Sequence, residues 1–276
     1  MIPSKLDLRT VSLVCVETRY PALAQYALDR CLAAADFKEC LLLTAVRHDL
    51  PDYITQVEIA PIGSIEAYSD FMLRDLGRYF SGAQVLVVQW DGFIVDGSRW
   101  DPRFLDYDYV GAPWPHRPVA VGNGGFSLRS RRLVEALASM QFDVVHPEDY
   151  VICELRRDEL AARGIRFAPA DLAGRFAFET VRPATPSFGF HGFFNFDRIL
   201  TDAELDAYTA LCDRAILCSV QARRLVRQLY HDGRHDAALR LLRRRLGGTP
   251  GQVAETLLLM ARCWWSRRRR TAAPAP

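Results

Sequence analysis

The sequence predicts an α/β protein: a mixed, mainly parallel sheet flanked by helices, followed by a C-terminal helical extension. Three observations carry this. Over residues 1–200, short β-branched apolar runs alternate with segments of helical periodicity, the pattern of a sheet covered by helices. The fourth such run, Gln84-Val85-Leu86-Val87-Val88, is the most apolar, as expected of a central strand buried on both faces. After Asn195 the texture changes to Leu- and Arg-rich helical segments alone.

Taken in order, residues 11–16 read as a buried strand that ends at Glu17-Thr18-Arg19-Tyr20. Pro21 then opens a helix with Leu23, Tyr26, Ala27, Arg30 and Cys31 at helical spacing, since proline suits a first helical turn. Residues 40–45 and 56–62 read as the second and third strands. Ser64 caps a helix running to residue 80, with Ile65, Tyr68, Phe71, Met72 and Leu76 on one face. The fourth strand is 84–88. In sheets of this kind ligands bind beyond the carboxyl ends of the strands, which directs attention to residues 17–20 and 89–93.

Residues 100–118 form an aromatic, proline-rich loop containing Phe104, Tyr107, Tyr109 and Trp114. A strand over 119–128 is interrupted by Gly122-Asn123-Gly124-Gly125. Helices are expected over 131–140 and, after Pro147, over 148–162. Strands are expected over 165–168 and 176–179, and a Gly- and Phe-rich strand or loop over 186–192. Beyond these, helices over 202–217, 220–230, 236–246 and 253–265, with a turn at Asp232-Gly233-Arg234, resemble a single tetratricopeptide-type hairpin. The domain plan is therefore 1–200, a helical extension over 201–270, and a disordered Ala/Pro-rich tail over 271–276.

The formal net charge of +2 conceals an asymmetry: residues 223–270 hold 13 Arg against 3 acids. The acidic remainder suits a protein that binds cations, and the basic tail suits an anionic surface or an acidic partner. Trp264-Trp265 followed by Arg267, Arg268, Arg269 and Arg270 resembles an interfacial anchor. Peripheral contact with an anionic membrane, contact with a partner protein and a plain solvated face all remain open for this tail, while nucleic acid is disfavoured. The 7 cysteines are scattered with no C-x-x-C pair, which argues against a disulfide framework and for a reducing compartment. Charged residues interrupt the N-terminus and no apolar run reaches the ~20 residues of a membrane span, so a cytoplasmic location is expected.

Four constellations could carry chemistry. Gln89-Trp90-Asp91-Gly92 puts an acid at the end of the central strand, where a carboxylate faces the cleft and suits a hard cation such as Mg2+ or Mn2+. Gly122-Asn123-Gly124-Gly125 in a strand-like run lets something approach the backbone closely. Pro147-Glu148-Asp149 opens a helix with two acids, one of which could act as a general base. His191, between Phe190 and Gly192, offers an imidazole to a borderline metal. Each has a plain structural reading as well: an Asp-Gly turn, a bulge, acids favoured by the helix dipole, and a hydrogen-bonded histidine.

Their order along the chain resembles the GT-A glycosyltransferases, which carry an acidic metal-binding motif after a central strand, a glycine-containing loop, an acid pair and a C-terminal histidine. The wording of four segments is closer still to a bacterial and fungal family placed among glycosyltransferases: Gln89-Trp90-Asp91-Gly92, Tyr107-Asp108-Tyr109-Val110-Gly111-Ala112-Pro113-Trp114, Gly122-Asn123-Gly124-Gly125-Phe126-Ser127-Leu128-Arg129, and Phe188-Gly189-Phe190-His191-Gly192. The resemblance spans about residues 13–196 and leaves the helical tail outside. It implies a GT-A, Rossmann-like fold and a metal-dependent transferase of polysaccharide biosynthesis. Such an enzyme moves a sugar from a nucleotide-sugar to a glycan or glycolipid hydroxyl with inversion.

The same resemblance implies Asp91 and His191 as ligands of Mn2+ or Mg2+ and Asp149 as base, with Glu148 orienting the acceptor. The donor falls to Glu17, Thr18, Arg19, Arg74, Gln89, Asn123, Gly124 and Gly125. Trp90, Trp114 and Phe190 offer flat faces to the acceptor. One departure stands out: the usual motif is Asp-x-Asp, and Gln89 occupies its first position. A nucleotidyltransferase and a non-catalytic sugar-binding module with a helical interaction tail are the rival readings.

Overall fold

The computed structural model describes residues 5–115, 117–181, 183 and 185–271, with side chains as far as residue 265. The predicted disordered tail over 271–276 lies, Thr271 apart, outside the described residues, as do Met1 to Ser4 and the side chains of Arg267 to Arg270. The chain divides into two compact units, Met1–His191 and Gly192–Pro276; the boundary read from sequence lies at 200/201.

The first unit is the predicted mixed, mainly parallel sheet flanked by helices. Its strands are β1 (Leu6–Val16), β2 (Ala35–Thr44), β3 (Thr55–Glu58), β4 (Gln84–Val88), β6 (Tyr109–Val110) and β7 (Phe126–Ser130), in the order β3-β2-β1-β4-β7-β6. The first four are mutually parallel, and β7 runs antiparallel to both β4 and β6. Every residue of β4 and the last six of β1 are buried, which explains why these runs are apolar apart from Gln84 and Ser12. Helix α1 (Pro21–Ala34) joins β1 to β2, and α2 (Ile65–Arg74) and α3 (Arg131–Ala138) pack against each other. Ser64 caps α2 by accepting from the Ala67 N–H at 3.1 Å, a contact whose loss costs ~1 kcal/mol.

A second, three-stranded sheet is built from β5 (Gly92–Ile94), β8 (Ala177–Phe178) and β9 (Gly189–His191), in the order β5-β9-β8. It pairs Gly92 with His191 and Phe93 with Phe190. The chain therefore leaves β4, turns through residues 89–91, and re-enters as β5 beside the C-terminal strand of the unit.

Several expected elements are shorter or broken. The strand expected over 119–128 is β7 alone, because the glycine loop precedes it and Val121 only bridges Pro113. The strand expected over 165–168 is a single bridge between Phe167 and Tyr109, ended by Pro169. The helix expected over 148–162 is α4 (Glu148–Tyr150), a π turn (Val151–Leu155) and α5 (Arg157–Ala162); α6 (Ala170–Phe176) follows. The helix expected to reach 80 ends at Arg74, with a 3-10 turn at Leu76–Arg78.

Among its described residues the second unit holds the helices α7 (Phe196–Ile199), α8 (Asp202–Leu211), α9 (Arg214–Leu217), α10 (Val220–His231), α11 (His235–Arg245) and α12 (Pro250–Thr271). Thr201 and Glu204 form a capping box on α8. Asp213 caps α9, which splits the helix expected over 202–217. Among the described residues no helix is long and apolar enough to cross a membrane.

Candidate active site

In a sheet ordered 3-2-1-4 the chain reverses its winding between β1 and β4, and ligands bind in the crevice beyond the carboxyl ends there. A cavity of about 260 Å³ occupies that position, lined by Val16 to Tyr20 after β1, Ile62 to Ile65 and Tyr68 at the start of α2, and Gln89 and Trp90 after β4. Glu17, Thr18, Arg19 and Gln89 thus line one cavity. The Glu17 carboxylate accepts from the backbone N–H groups of Arg19 and Tyr20. Burial raises its pKa despite those two donors. Trp90, expected to face an acceptor, lines this cavity instead.

Next to the cavity, the turn after β4 and the end of β9 bring three donor atoms together. His191 Nε2 lies 3.0 Å from Gln89 Oε1 and 3.3 Å from Asp91 Oδ1. Gln89 is held in this orientation because its Nε2 donates to the Tyr68 hydroxyl at 3.0 Å. On the other edge of the imidazole, Nδ1 lies 3.3 Å from Glu179 Oε1 and 3.2 Å from Asn123 Nδ2. Burial opposes a charged imidazole, yet Asp91 and Glu179 outweigh it and hold the His191 pKa well above its ordinary value.

These residues fit a divalent cation. An ion ~2.1 Å from each of its octahedral ligands places neighbouring ligands about 3 Å apart, close to the two separations seen at Nε2. A carboxylate on the far nitrogen is the usual orienting partner of a ligating histidine, and Glu179 stands there. Among the described residues, however, no group of three or more His, Cys, Asp or Glu side chains is arranged to hold a metal. Asp91, His191 and the Gln89 amide oxygen would make half a coordination shell, which ligand oxygens or water must complete.

The glycine loop threads between this cluster and the acid pair. A Cβ on Gly125 would overlap the His191 imidazole, and one on Gly124 would overlap the Glu148 carboxylate. Asn123 adopts φ 63°, a left-handed conformation that asparagine tolerates better than most residues. The Gly124 N–H donates to Asp149 Oδ2 at 3.1 Å. Asp149 and His191 therefore abut adjacent residues of one loop, whose Cα atoms lie ~3.8 Å apart.

The two acids differ in setting. Glu148 is buried; its Oε1 accepts from Arg129 Nη2 at 3.2 Å and its Oε2 lies 3.5 Å from Ser69 Oγ. Asp149 is less enclosed, and its Oδ1 accepts from the Tyr150 N–H at 2.8 Å. Burial first, and then the neighbouring Glu148 charge, raise the Asp149 pKa. Of the pair, Glu148 is the ion-pair partner of Arg129, and Asp149 faces the glycine loop.

The remaining expected site residues lie elsewhere. Phe190 is fully buried, edge-on to Phe93 with ring centroids 4.8 Å apart, so its ring offers no face to an acceptor. Arg74 turns to Asp70 at 2.6 Å and covers the Phe142 ring; it does not line the cavity. Trp114 is buried against Gly122 and borders a separate groove of about 520 Å³ that also reaches Arg117 and Glu179.

Arg129, Glu179 and Tyr68 are site residues that sequence reasoning did not assign. Glu179 obeys the rule that selected Asp91, an acid at the carboxyl end of an expected strand. Arg129 left a subtler mark. In Phe126-Ser127-Leu128-Arg129-Ser130, alternation puts Ser127 and Arg129 on one face of a strand buried along its whole length. A charged residue there needs a buried partner.

A family model described as a protein of unknown function (DUF5672) matches residues 53–191. No curated protein matches the chain by sequence. Among solved structures, the chain is similar to the apo-form glycosyltransferase GlyE of Streptococcus pneumoniae TIGR4, at 10% identity and a TM-score of 0.39, covering 68% of this chain and 54% of that one. It thus spans about half the length of that protein. It is also similar to the mannosyltransferase PcManGT from Pyrobaculum calidifontis, solved with GDP-Man and Mn2+, at 13% identity and a TM-score of 0.40, covering 98% and 77%. A third similar structure is residues 1–349 of S. aureus TarS, at 11% identity and a TM-score of 0.41, covering 96% and 93%. The matched segment, half of the 276 residues, runs from the strand before the cavity to His191 itself, and the chain belongs to the DUF5672 family.

Proposed function

We propose that the chain is a glycosyltransferase that moves a sugar from a nucleotide-sugar to an acceptor hydroxyl with inversion. The observation that carries this reading is the convergence on one loop. The cavity at the β1/β4 crevice opens beside Gln89, Asp91 and His191, and Asp149 sits across Gly124 and Gly125 from them. The base and ribose would lie in the cavity. Asp91, His191 and the Gln89 amide oxygen would hold Mn2+ or Mg2+, which when bound neutralises the donor's diphosphate. The glycine loop, lacking side chains where it matters, lets the sugar approach the backbone.

Asp149 takes the proton of the acceptor hydroxyl. The acceptor oxygen bonds to the anomeric carbon as the carbon–oxygen bond to the diphosphate breaks, and that electron pair leaves with the diphosphate. A single displacement from the opposite face inverts the centre. Glu148 pairs with Arg129 and keeps the loop and the base in register. A nucleotidyltransferase would need a second metal-binding carboxylate close to Asp91, and Gln89 stands at that place.

Thermal melting tests the donor site. One class of nucleotide-sugar should raise the melting temperature in the presence of Mn2+ and cease to do so with chelator. If no donor shifts the curve with or without Mn2+, the donor site is misassigned. Gly125→Ala should leave the fold intact but displace His191, weakening Mn2+-dependent donor binding by roughly tenfold, or ~1.4 kcal/mol. Calorimetry showing unchanged affinity would separate His191 from the donor.

A further inference from the structure

Helix α12 (Pro250–Thr271) belongs to the second unit. One side of it is packed: Thr256 and Cys263 are buried, and Glu255 binds Arg223 at 2.8 Å and Arg245 at 2.9 Å. The opposite side is apolar and largely exposed. Leu257, Leu258, Trp264 and Trp265 are 53%, 67%, 49% and 56% exposed. At 3.6 residues per turn these four, with Ala254 and Ala261 between them, fall within an arc of roughly 120°.

The sequence names the kind of surface that would cover this face. One residue beyond the tryptophan pair come Arg267, Arg268, Arg269 and Arg270 on the same helix. Four consecutive positions step around the whole circumference of a helix, so no single flat protein surface can meet all four. A layer of anionic headgroups can, because long cationic side chains bend toward it from any side. Tryptophan beside arginine is the composition of the water–lipid boundary.

We propose that this face of α12 seats the protein on an anionic membrane surface, with Leu257, Leu258, Trp264 and Trp265 entering the headgroup layer and the arginine run binding lipid phosphates. The contact is peripheral, and it is independent of the transferase reading.

Co-sedimentation of the full chain with vesicles is the test. The protein should pellet with vesicles of phosphatidylcholine and phosphatidylglycerol and remain in the supernatant with phosphatidylcholine alone. Trp264→Ser with Trp265→Ser, and separately Leu258→Glu, should each cut binding by roughly tenfold. These residues are exposed, so both variants should melt as the parent does. Light scattering in solution reads the competing occupants. A monomer that ignores anionic vesicles overturns the proposal. So does a dimer that the tryptophan variant dissolves, which would give the face to a second copy. Binding to anionic vesicles that survives both substitutions overturns it as well.

Discussion

Asp149→Asn should abolish transfer while leaving donor binding and folding in place. Removing a positioned general base costs ~10²–10⁴-fold in turnover. The amide is isosteric, and its oxygen can still accept from the Gly124 N–H, which meets the carboxylate at 3.1 Å. Stability should hold or rise, because the substitution removes a carboxylate whose charge is disfavoured by burial and by Glu148. The same setting predicts the pH profile. Since the Asp149 pKa is raised, its base form is lost as pH falls through a value above the ordinary aspartate range. The acid limb of turnover should lie in that elevated range and vanish in the variant. Near-normal turnover by Asp149→Asn at saturating donor would place the base elsewhere.

Arg129→Met is expected to be the most destabilising single change at the site. Arg129, on β7, is fully buried against Glu148, and it donates to Ser127 Oγ at 3.0 Å and to Glu148 Oε1 at 3.2 Å while its guanidinium lies over the Tyr109 ring. Deleting one partner of a buried pair leaves the other charge uncompensated, at about 3–5 kcal/mol. For a unit of this size each kcal/mol lowers the melting temperature by ~2–4 °C, so calorimetric melting should show a fall of roughly 6–20 °C. Adding Glu148→Gln should recover much of it, because the stranded charge is gone. A single variant that melts like the parent would mean that the pair contributes nothing. A double variant no better than Arg129→Met would mean that the cost comes from lost packing.

What the sequence made legible follows from strand ends. Glu17, Gln89 and Asp91 could be placed because each follows an apolar run, and the carboxyl ends of such strands converge on one crevice. The glycine loop was legible because glycine in a strand-like run demands a cause, and the causes are the His191 ring and the Glu148 carboxylate. Aromatic residues were the weak point. Phe190 and Trp90 look alike as flat apolar rings, but neighbours distant in sequence decide that one is core and the other lines the cavity. Arg74 shows the same limit: nothing local says that its side chain turns to Asp70. Arg129 was hidden because its counter-charge, Glu148, is 19 residues away on an element whose packing only the fold reveals. The π turn at Val151–Leu155 likewise breaks a helix that periodicity reads as continuous.

The most direct test of a transferase site built on Asp91, His191 and Asp149 is the release of free nucleoside diphosphate from a panel of nucleotide-sugars, with Mn2+ present and then chelated. The account predicts release from one class of donor, stopped by chelator, restored by Mn2+ and absent in Asp149→Asn. Donor that binds but is never turned over, across the panel and with sugar and lipid-linked acceptors supplied, would contradict it and leave a sugar-binding module in its place.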